Sequence, residues 1–133
     1  MKNPDDILEN QIAKNVLHVA FDVHSQLGPG LLENAYKQAL YYKLKKAGLH
    51  VEMEKPMPLK IDGIDLEVGY RIDMLVENKV VLELKAIEVI QDIHIAQTLN
   101  YLKLGGFKLG LILNFNQVRL KYGIKRVVNG LEE

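Results

Sequence analysis

The apolar positions in the first third of the chain predict two helices. Over residues 7–27 they recur at helical spacing, and Gly28-Pro29-Gly30 then breaks the pattern. A second helical pattern runs from about residue 31 to residue 47, and Gly48 is suited to end it. We therefore expect the chain to begin with a pair of helices.

The middle of the chain changes to the alternating pattern that is typical of β-strands. Strands are predicted within 51–68, where Asp62-Gly63 marks a hairpin turn, at 70–76 and 80–85, at 107–115 and, as a short strand or extended segment, at 118–128. Pro56 and Pro58 place the first strand at a sheet edge or distort it, because proline cannot donate a ladder hydrogen bond. The 107–115 segment is almost continuously apolar, which is expected of a strand covered on both faces.

A third helix is predicted at about 92–104, with Asp92 as its N-cap and Gly105-Gly106 at its end. Its predicted apolar face consists of Ile95, Ala96, Leu99 and Leu102. The helix lies between two predicted strands and is long enough for a right-handed crossover that makes those strands parallel. The order of elements predicts an α/β fold with a mixed sheet flanked by helices, in one domain that covers residues 1–133.

The composition narrows the class of protein. The chain has no cysteine, which excludes disulfides, thiolate metal sites and a cysteine nucleophile and is compatible with the reducing cytoplasm. No apolar run is long enough for a membrane span, and the N-terminus lacks an apolar signal core, so we expect a cytoplasmic protein without membrane contact.

The formal net charge is zero, which argues against binding nucleic acid by bulk charge alone. The charge is unevenly distributed, because residues 1–100 carry a balance of −4 and residues 101–131 one of +6. The basic segment is typical either of a phosphate-facing surface or of solvated lysines that aid solubility.

Three charged residues interrupt the two central strands. Asp73 lies in the first, and Glu83 and Lys85 leave the same face of the second. A three-residue loop at Glu77-Asn78-Lys79 would place Asp73 opposite Glu83, whereas a two-residue loop would send Asp73 to the other face. Burial favours the clustered arrangement, because two carboxylates beside an ammonium cost less to bury than isolated charges.

Such a cluster has two interpretations. Two carboxylates can hold a hard divalent cation, which polarises a phosphoryl oxygen and activates water, while the lysine orients or deprotonates that water. Alternatively, the three residues form a cross-strand salt bridge on an exposed sheet face. These residues alone do not decide between the two.

Asp73 followed by Glu83-Leu84-Lys85 resembles the active-site signature of the PD-(D/E)XK nuclease superfamily, although Ile72 replaces the proline of its name. Gly30-Leu31-Leu32-Glu33-Asn34-Ala35-Tyr36 resembles the motif of the GxxExxY family within that superfamily. The resemblance covers about residues 12–128 and implies a restriction-endonuclease-like core.

The resemblance also implies roles for individual residues. Asp73 and Glu83 would bind Mg²⁺ or Mn²⁺, with the Leu84 carbonyl as a further ligand and Glu33 as a direct or outer acidic partner. Lys85 would act on the attacking water. Gln97 and Tyr101 resemble the helical Gln-x-x-x-Tyr element of RecB-type nucleases, and with Tyr36 and Lys103 they are expected to support the site or contact nucleic acid.

The function expected from this resemblance is metal-dependent hydrolysis of DNA phosphodiester bonds. The alternative is a catalytically silent module that keeps the nuclease fold and binds nucleic acid or protein, which the zero net charge and small size would suit. The apolar segments near residues 56–66 are also compatible with a homodimer, an arrangement that small nucleases of this architecture often use to cut two strands.

Overall fold

The computed structural model describes residues 4–131. Its helices are α1 (Pro4–Leu27), α2 (Glu33–Lys46) and α3 (Asp92–Gly105), with a 3₁₀ turn at Leu120–Gly123. Its strands are β1 (Val51–Pro56), β2 (Leu59–Ile61), β3 (Ile64–Leu66), β4 (Arg71–Val76), β5 (Val80–Lys85), β6 (Leu109–Asn114) and β7 (Ile124–Val128). No helix in this range is both long and apolar enough to span a bilayer.

Five of the strands form one mixed sheet in the order β1-β4-β5-β6-β7, and β2 and β3 form a separate hairpin. The β5–β6 pair is parallel and the other neighbours are antiparallel. α3 provides the connection between β5 and β6 that a parallel pair requires. The predicted mixed sheet and its crossover helix are therefore confirmed, and β1 lies at a sheet edge as its prolines indicated.

Helices cover both faces of the sheet. On one face α1 and α2 pack onto alternate residues of the strands, such as Leu82 and Leu111. On the other face Leu102 of α3 packs with Val81 and Ile112. The central strands β5 and β6 are buried on both sides, which explains their near-continuous apolar sequence.

The second helix begins at Glu33, two residues later than the sequence pattern indicated. Leu32, the residue before it, has an extended backbone, and Gly30 has a φ of 97°, which a right-handed helix does not allow. Glu33 therefore occupies the first position of α2, where the amide groups of the helix N-terminus are unpaired.

The third helix is capped by Gln91 and not by Asp92, which is already the first helical residue. The Gln91 N–H donates a hydrogen bond of 2.9 Å to His94 Nδ1, and the His94 N–H donates to the Gln91 backbone carbonyl at 3.0 Å. The prediction of the cap failed by one residue because His94 can stand in for the usual glutamate at the third helical position.

The buried face of α3 also differs from the predicted one. Ala96 is exposed, whereas Thr98 and Tyr101 are buried. Gly110 on β6 explains this, because a Cβ there would lie 3.0 Å from the Thr98 methyl carbon. The missing side chain lets α3 approach the sheet along the face that carries Tyr101.

Candidate active site

The turn between β4 and β5 has three residues, as the clustered arrangement required. Val76 pairs with Val80 and Met74 with Leu82, so the next step along the hairpin brings Asp73 opposite Glu83. Glu77 and Asn78 adopt φ values of 54° and 57°, the left-handed conformation that lets so short a loop reverse the chain.

Two contacts hold the Asp73 carboxylate in place. Its Oδ2 accepts a hydrogen bond of 2.7 Å from the Leu84 backbone N–H, and its Oδ1 lies 3.2 Å from Lys37 Nζ. The first contact ties Asp73 to the strand that carries Glu83, and the second ties it to α2. Because an ionised carboxylate offers about four acceptor positions, both oxygens keep room for further partners.

Glu83 is a buried carboxyl group with one unsatisfied oxygen. The residue is 5% exposed, and its Oε1 has no hydrogen-bond partner. Burial raises the pKa of Glu83 to about 9, the charge of Asp73 and a hydrogen bond with it act in the same direction, and Lys85 opposes them. Without a cation, Glu83 therefore carries a proton at neutral pH next to Asp73.

Lys85 ends β5, beside both acidic groups. Its backbone carbonyl accepts a 2.9 Å hydrogen bond from Phe115 N–H, which fixes the end of the strand against the β6 segment. Its ammonium group lowers the pKa of Glu83 and of Glu33, which shows that it lies in the electrostatic field of both. Among the described residues, no side-chain hydrogen bond or ion pair engages its Nζ.

Glu33 approaches this group from the start of α2. Burial raises the pKa of Glu33, the charge of Asp73 raises it further, and Lys85 and Lys37 oppose the shift. The structure thus brings together all four residues that were expected to form the catalytic centre. Within the described range, however, no group of three or more His, Cys, Asp or Glu residues has the geometry of a metal site.

Tyr36 lies beneath the site and shapes the loop that leads into it. Its ring is fully buried and stacks on Phe115 with ring centroids 4.8 Å apart. Its hydroxyl donates to the Gly28 carbonyl at 2.6 Å and accepts from the Leu31 N–H at 3.0 Å. Tyr36 therefore fixes the turn that precedes Glu33.

The sequence interpretation missed Lys37 and Glu54. Lys37 Nζ lies 2.8 Å from Glu54 Oε1 and also pairs with Asp73. Burial lowers the pKa of Lys37, but the hydrogen bond to Glu54 and the charge of Asp73 outweigh this effect and leave the pKa raised. Lys37 could have been found one helical turn after Glu33. Glu54 could not, because its position depends on how β1 pairs with β4.

Gln97 and Tyr101 lie on α3 at the other side of the carboxylates. Gln97 Nε2 donates a long hydrogen bond of 3.3 Å to the Tyr101 hydroxyl. Burial raises the pKa of Tyr101 and the charge of Glu83 adds to the shift, and the ring packs in the buried cluster that contains Ile72, the residue before Asp73. Lys103 is exposed on the same helix, and nothing in the structure brings its side chain to the carboxylates.

A cavity of about 570 Å³ opens beside Tyr101, between α3 and the segments that flank β4. Its lining residues are Leu59, Tyr70, Ile93, His94, Ala96, Gln97, Asn100, Tyr101, Lys103 and Leu104. The Tyr70 and Tyr101 rings meet edge to face in it, with centroids 6.4 Å apart. Lys103 thus borders this cavity, and Tyr101 is common to the cavity and the carboxyl pair.

Comparison with known proteins identifies the same superfamily that the Asp73 and Glu83-Leu84-Lys85 motif resembles. The family model described as the PD-(D/E)XK nuclease superfamily matches residues 10–127. No curated protein and no solved structure gives a match. The matched range contains the whole mixed sheet except the last residue of β7, and it contains the Asp73, Glu83 and Lys85 cluster. The chain, with its restriction-endonuclease-like α/β fold, belongs to the PD-(D/E)XK nuclease superfamily.

Proposed function

We propose that this chain is a metal-dependent deoxyribonuclease of the GxxExxY type, in which Asp73 and Glu83 bind Mg²⁺ or Mn²⁺. The observation that carries the proposal is the buried carboxyl pair with its unpartnered Glu83 Oε1. A buried polar atom without a partner is costly, and a bound cation is a partner that would satisfy Glu83 Oε1.

The donor set suits a hard divalent cation. Mg²⁺ is held by one or two carboxylates and keeps several of its waters, so the two carboxylates and the adjacent Leu84 carbonyl are sufficient ligands. Binding would remove the proton from Glu83, because the cation replaces that proton as the partner of the two negative charges. The bound ion would polarise a phosphoryl oxygen and lower the pKa of a water molecule.

Lys85 is the residue placed to act on the attacking water. Its ammonium group lies in the field of Glu83 and Glu33, and in the described part of the chain no other side chain holds it in an ion pair or hydrogen bond. As an ammonium group it could orient the water or neutralise charge that develops on the phosphate, and as a neutral amine it could take the proton of the water. Glu33 would serve as an outer acidic partner that orients water from the N-terminus of α2.

Asp73 would be the fixed ligand and Glu83 the adaptable one. The Leu84 N–H and Lys37 hold Asp73 from two sides before any cation arrives. Lys37 also offsets negative charge at the site, because it pairs with both Asp73 and Glu54. This division of roles predicts that loss of Asp73 removes binding and that loss of Glu83 weakens it.

The proposal is tested by incubating the purified protein with duplex, single-stranded, flap and junction DNA in the presence and absence of Mg²⁺ or Mn²⁺. We expect metal-dependent cleavage of at least one substrate, its loss in Asp73→Asn, and a decrease of about 10²- to 10⁴-fold in Lys85→Ala. Lys79→Ala, the same change in the loop residue that precedes β5, is the matched control and should retain cleavage. RNA is included in the same assay, and cleavage of RNA without cleavage of any DNA would show that the substrate is RNA.

The Lys37–Asp73 ion pair supports a second candidate, a nucleic-acid- or protein-binding module without turnover. In that case Lys37 would neutralise Asp73 permanently, and the proton on Glu83 would satisfy the pair without a cation. Calorimetric titration with Mn²⁺ distinguishes the two functions. Heat of binding that disappears in Asp73→Asn supports the nuclease, whereas no binding at millimolar Mn²⁺ together with no cleavage supports the module.

A further inference from the structure

The cavity beside the carboxyl pair has a lining suited to a flat, partly polar ligand. Its volume of about 570 Å³ falls within the range of small-molecule sites. Tyr70 and Tyr101 present two aromatic rings to it, and Ile93 and Leu104 add apolar walls. Aromatic rings of this kind stack with any nucleobase, because every base has a π-face.

The polar groups of the lining match the edge and the backbone of a nucleotide. Gln97 and Asn100 carry amides, which donate and accept hydrogen bonds and can pair with base edges. Lys103 provides a cation at the exposed side of α3. None of the lining residues in the described structure is acidic, so an anionic strand meets no repulsion there.

The position of the cavity links it to the reaction. Tyr101 lines it and packs in the buried cluster that contains Ile72, the residue before Asp73. Tyr70, the other ring of the lining, lies three residues before Asp73 on the segment that leads into β4. A strand whose phosphate lies on the carboxyl pair would therefore place a neighbouring base at Tyr101. This continuity with the candidate active site favours a nucleotide over an unrelated peptide or a second copy of the chain.

We propose that this cavity receives an unpaired nucleobase next to the phosphate that is cut, so that the enzyme acts on single-stranded or frayed nucleic acid in preference to a closed duplex. The inference rests on the proposed nuclease function and assigns its substrate class. A base inside a duplex is stacked and paired, and moving it into the cavity costs the free energy of unstacking and unpairing. An unpaired base enters without that cost.

Tyr70 allows a direct test. It is 47% exposed and precedes β4, so its ring can be removed with little effect on the core. The measurement is fluorescence anisotropy in EDTA, where no cleavage occurs, with a labelled single strand and a blunt duplex of the same sequence. The variants are Tyr70→Ala, Tyr70→Phe and the control Tyr42→Ala, which removes an exposed tyrosine of α2 outside the cavity.

We expect the wild type to bind the single strand about tenfold more tightly than the duplex, and Tyr70→Ala to lose about tenfold in single-strand affinity alone. Tyr70→Phe and Tyr42→Ala should behave as the wild type, since the first keeps the ring and the second is remote. Equal wild-type affinity for both forms, or equal loss on both forms in Tyr70→Ala, would overturn the inference.

The two proposals fail in different ways. If metal-dependent cleavage is observed but single-strand binding does not depend on Tyr70, the nuclease function stands and the base pocket is refuted. If single-strand binding depends on Tyr70 but no metal restores cleavage, the pocket stands as a binding site and the nuclease function is refuted.

Discussion

Glu83→Gln should make the metal-free protein more stable at alkaline pH, because the amide has the shape of the protonated carboxyl group. The pKa of Glu83 is raised from an ordinary value of 4.5 to about 9 in the folded chain, by burial first and by Asp73 second. Glutamine keeps the packing of the side chain and cannot ionise. The substitution therefore removes a proton equilibrium with little change in volume.

The sign of the effect follows from proton linkage. Between pH 4.5 and about 9 the folded protein binds one more proton at Glu83 than the unfolded chain does. This contribution to stability is fully present below the unfolded pKa and is lost as the pH rises toward the folded pKa. One proton corresponds to about 1.4 kcal/mol per pH unit, so we expect the wild type to lose about 1–3 kcal/mol between about pH 6 and about pH 8.

Urea denaturation in EDTA at constant ionic strength measures the free energy of unfolding at each pH. We expect Glu83→Gln to have a flatter pH dependence than the wild type by about 1–3 kcal/mol over that interval and to be the more stable protein at about pH 8. Glu67→Gln, the same change at an exposed position, is the matched control and should follow the wild-type curve. A Glu83→Gln curve parallel to the wild-type curve would refute the reasoning.

Divalent cations extend the same experiment. A metal that displaces the Glu83 proton should stabilise the wild type more strongly at about pH 8 than at about pH 6. The reason is that the free-energy cost of removing the proton from Glu83 falls as the pH approaches the pKa of this group. Glu83→Gln should show a smaller stabilisation at both values. A metal effect that is independent of pH would indicate that the ion binds away from Glu83.

Two further predictions concern the contacts that hold the site together. Lys37→Met should lower the free energy of unfolding by about 1–3 kcal/mol, because it leaves the partly buried Asp73 carboxylate without its cation, whereas Lys45→Met on the exposed face of α2 should have little effect. Urea denaturation measures both, and equal losses would show that the Lys37 ion pair contributes nothing specific. Tyr36→Phe should lower the free energy of unfolding by about 1–2 kcal/mol, because it removes both hydrogen bonds of the hydroxyl while the ring keeps its stack on Phe115. Thermal unfolding measures this, and an unchanged melting temperature would show that the Tyr36 hydroxyl does not stabilise the turn before Glu33.

Local patterns in the sequence were sufficient for the elements and for naming Asp73, Glu83 and Lys85 as one candidate cluster. Periodicity along the chain reports which face of a helix or strand is buried, so the helices and strands could be placed within a few residues. The loop between β4 and β5 decides the register of that hairpin; the sequence left a two-residue and a three-residue loop open, and burial of the charges favoured the three-residue loop that the structure has. These two facts bring Asp73 opposite Glu83. The expectations of one domain, a cytoplasmic location and a homodimer stay predictions.

The tertiary structure decided the features that depend on contacts between distant segments. Lys37 of α2 pairs with both Glu54 of β1 and Asp73 of β4, and no local pattern encodes the meeting of these three elements. The raised pKa of Glu83 and its unpartnered oxygen arise from burial by elements far apart in the chain. The cavity at Tyr70 and Tyr101 likewise forms between segments some thirty residues apart. The sequence by itself determined which groups carry the charge, and only the packing of helices onto the sheet determined their protonation and their neighbours.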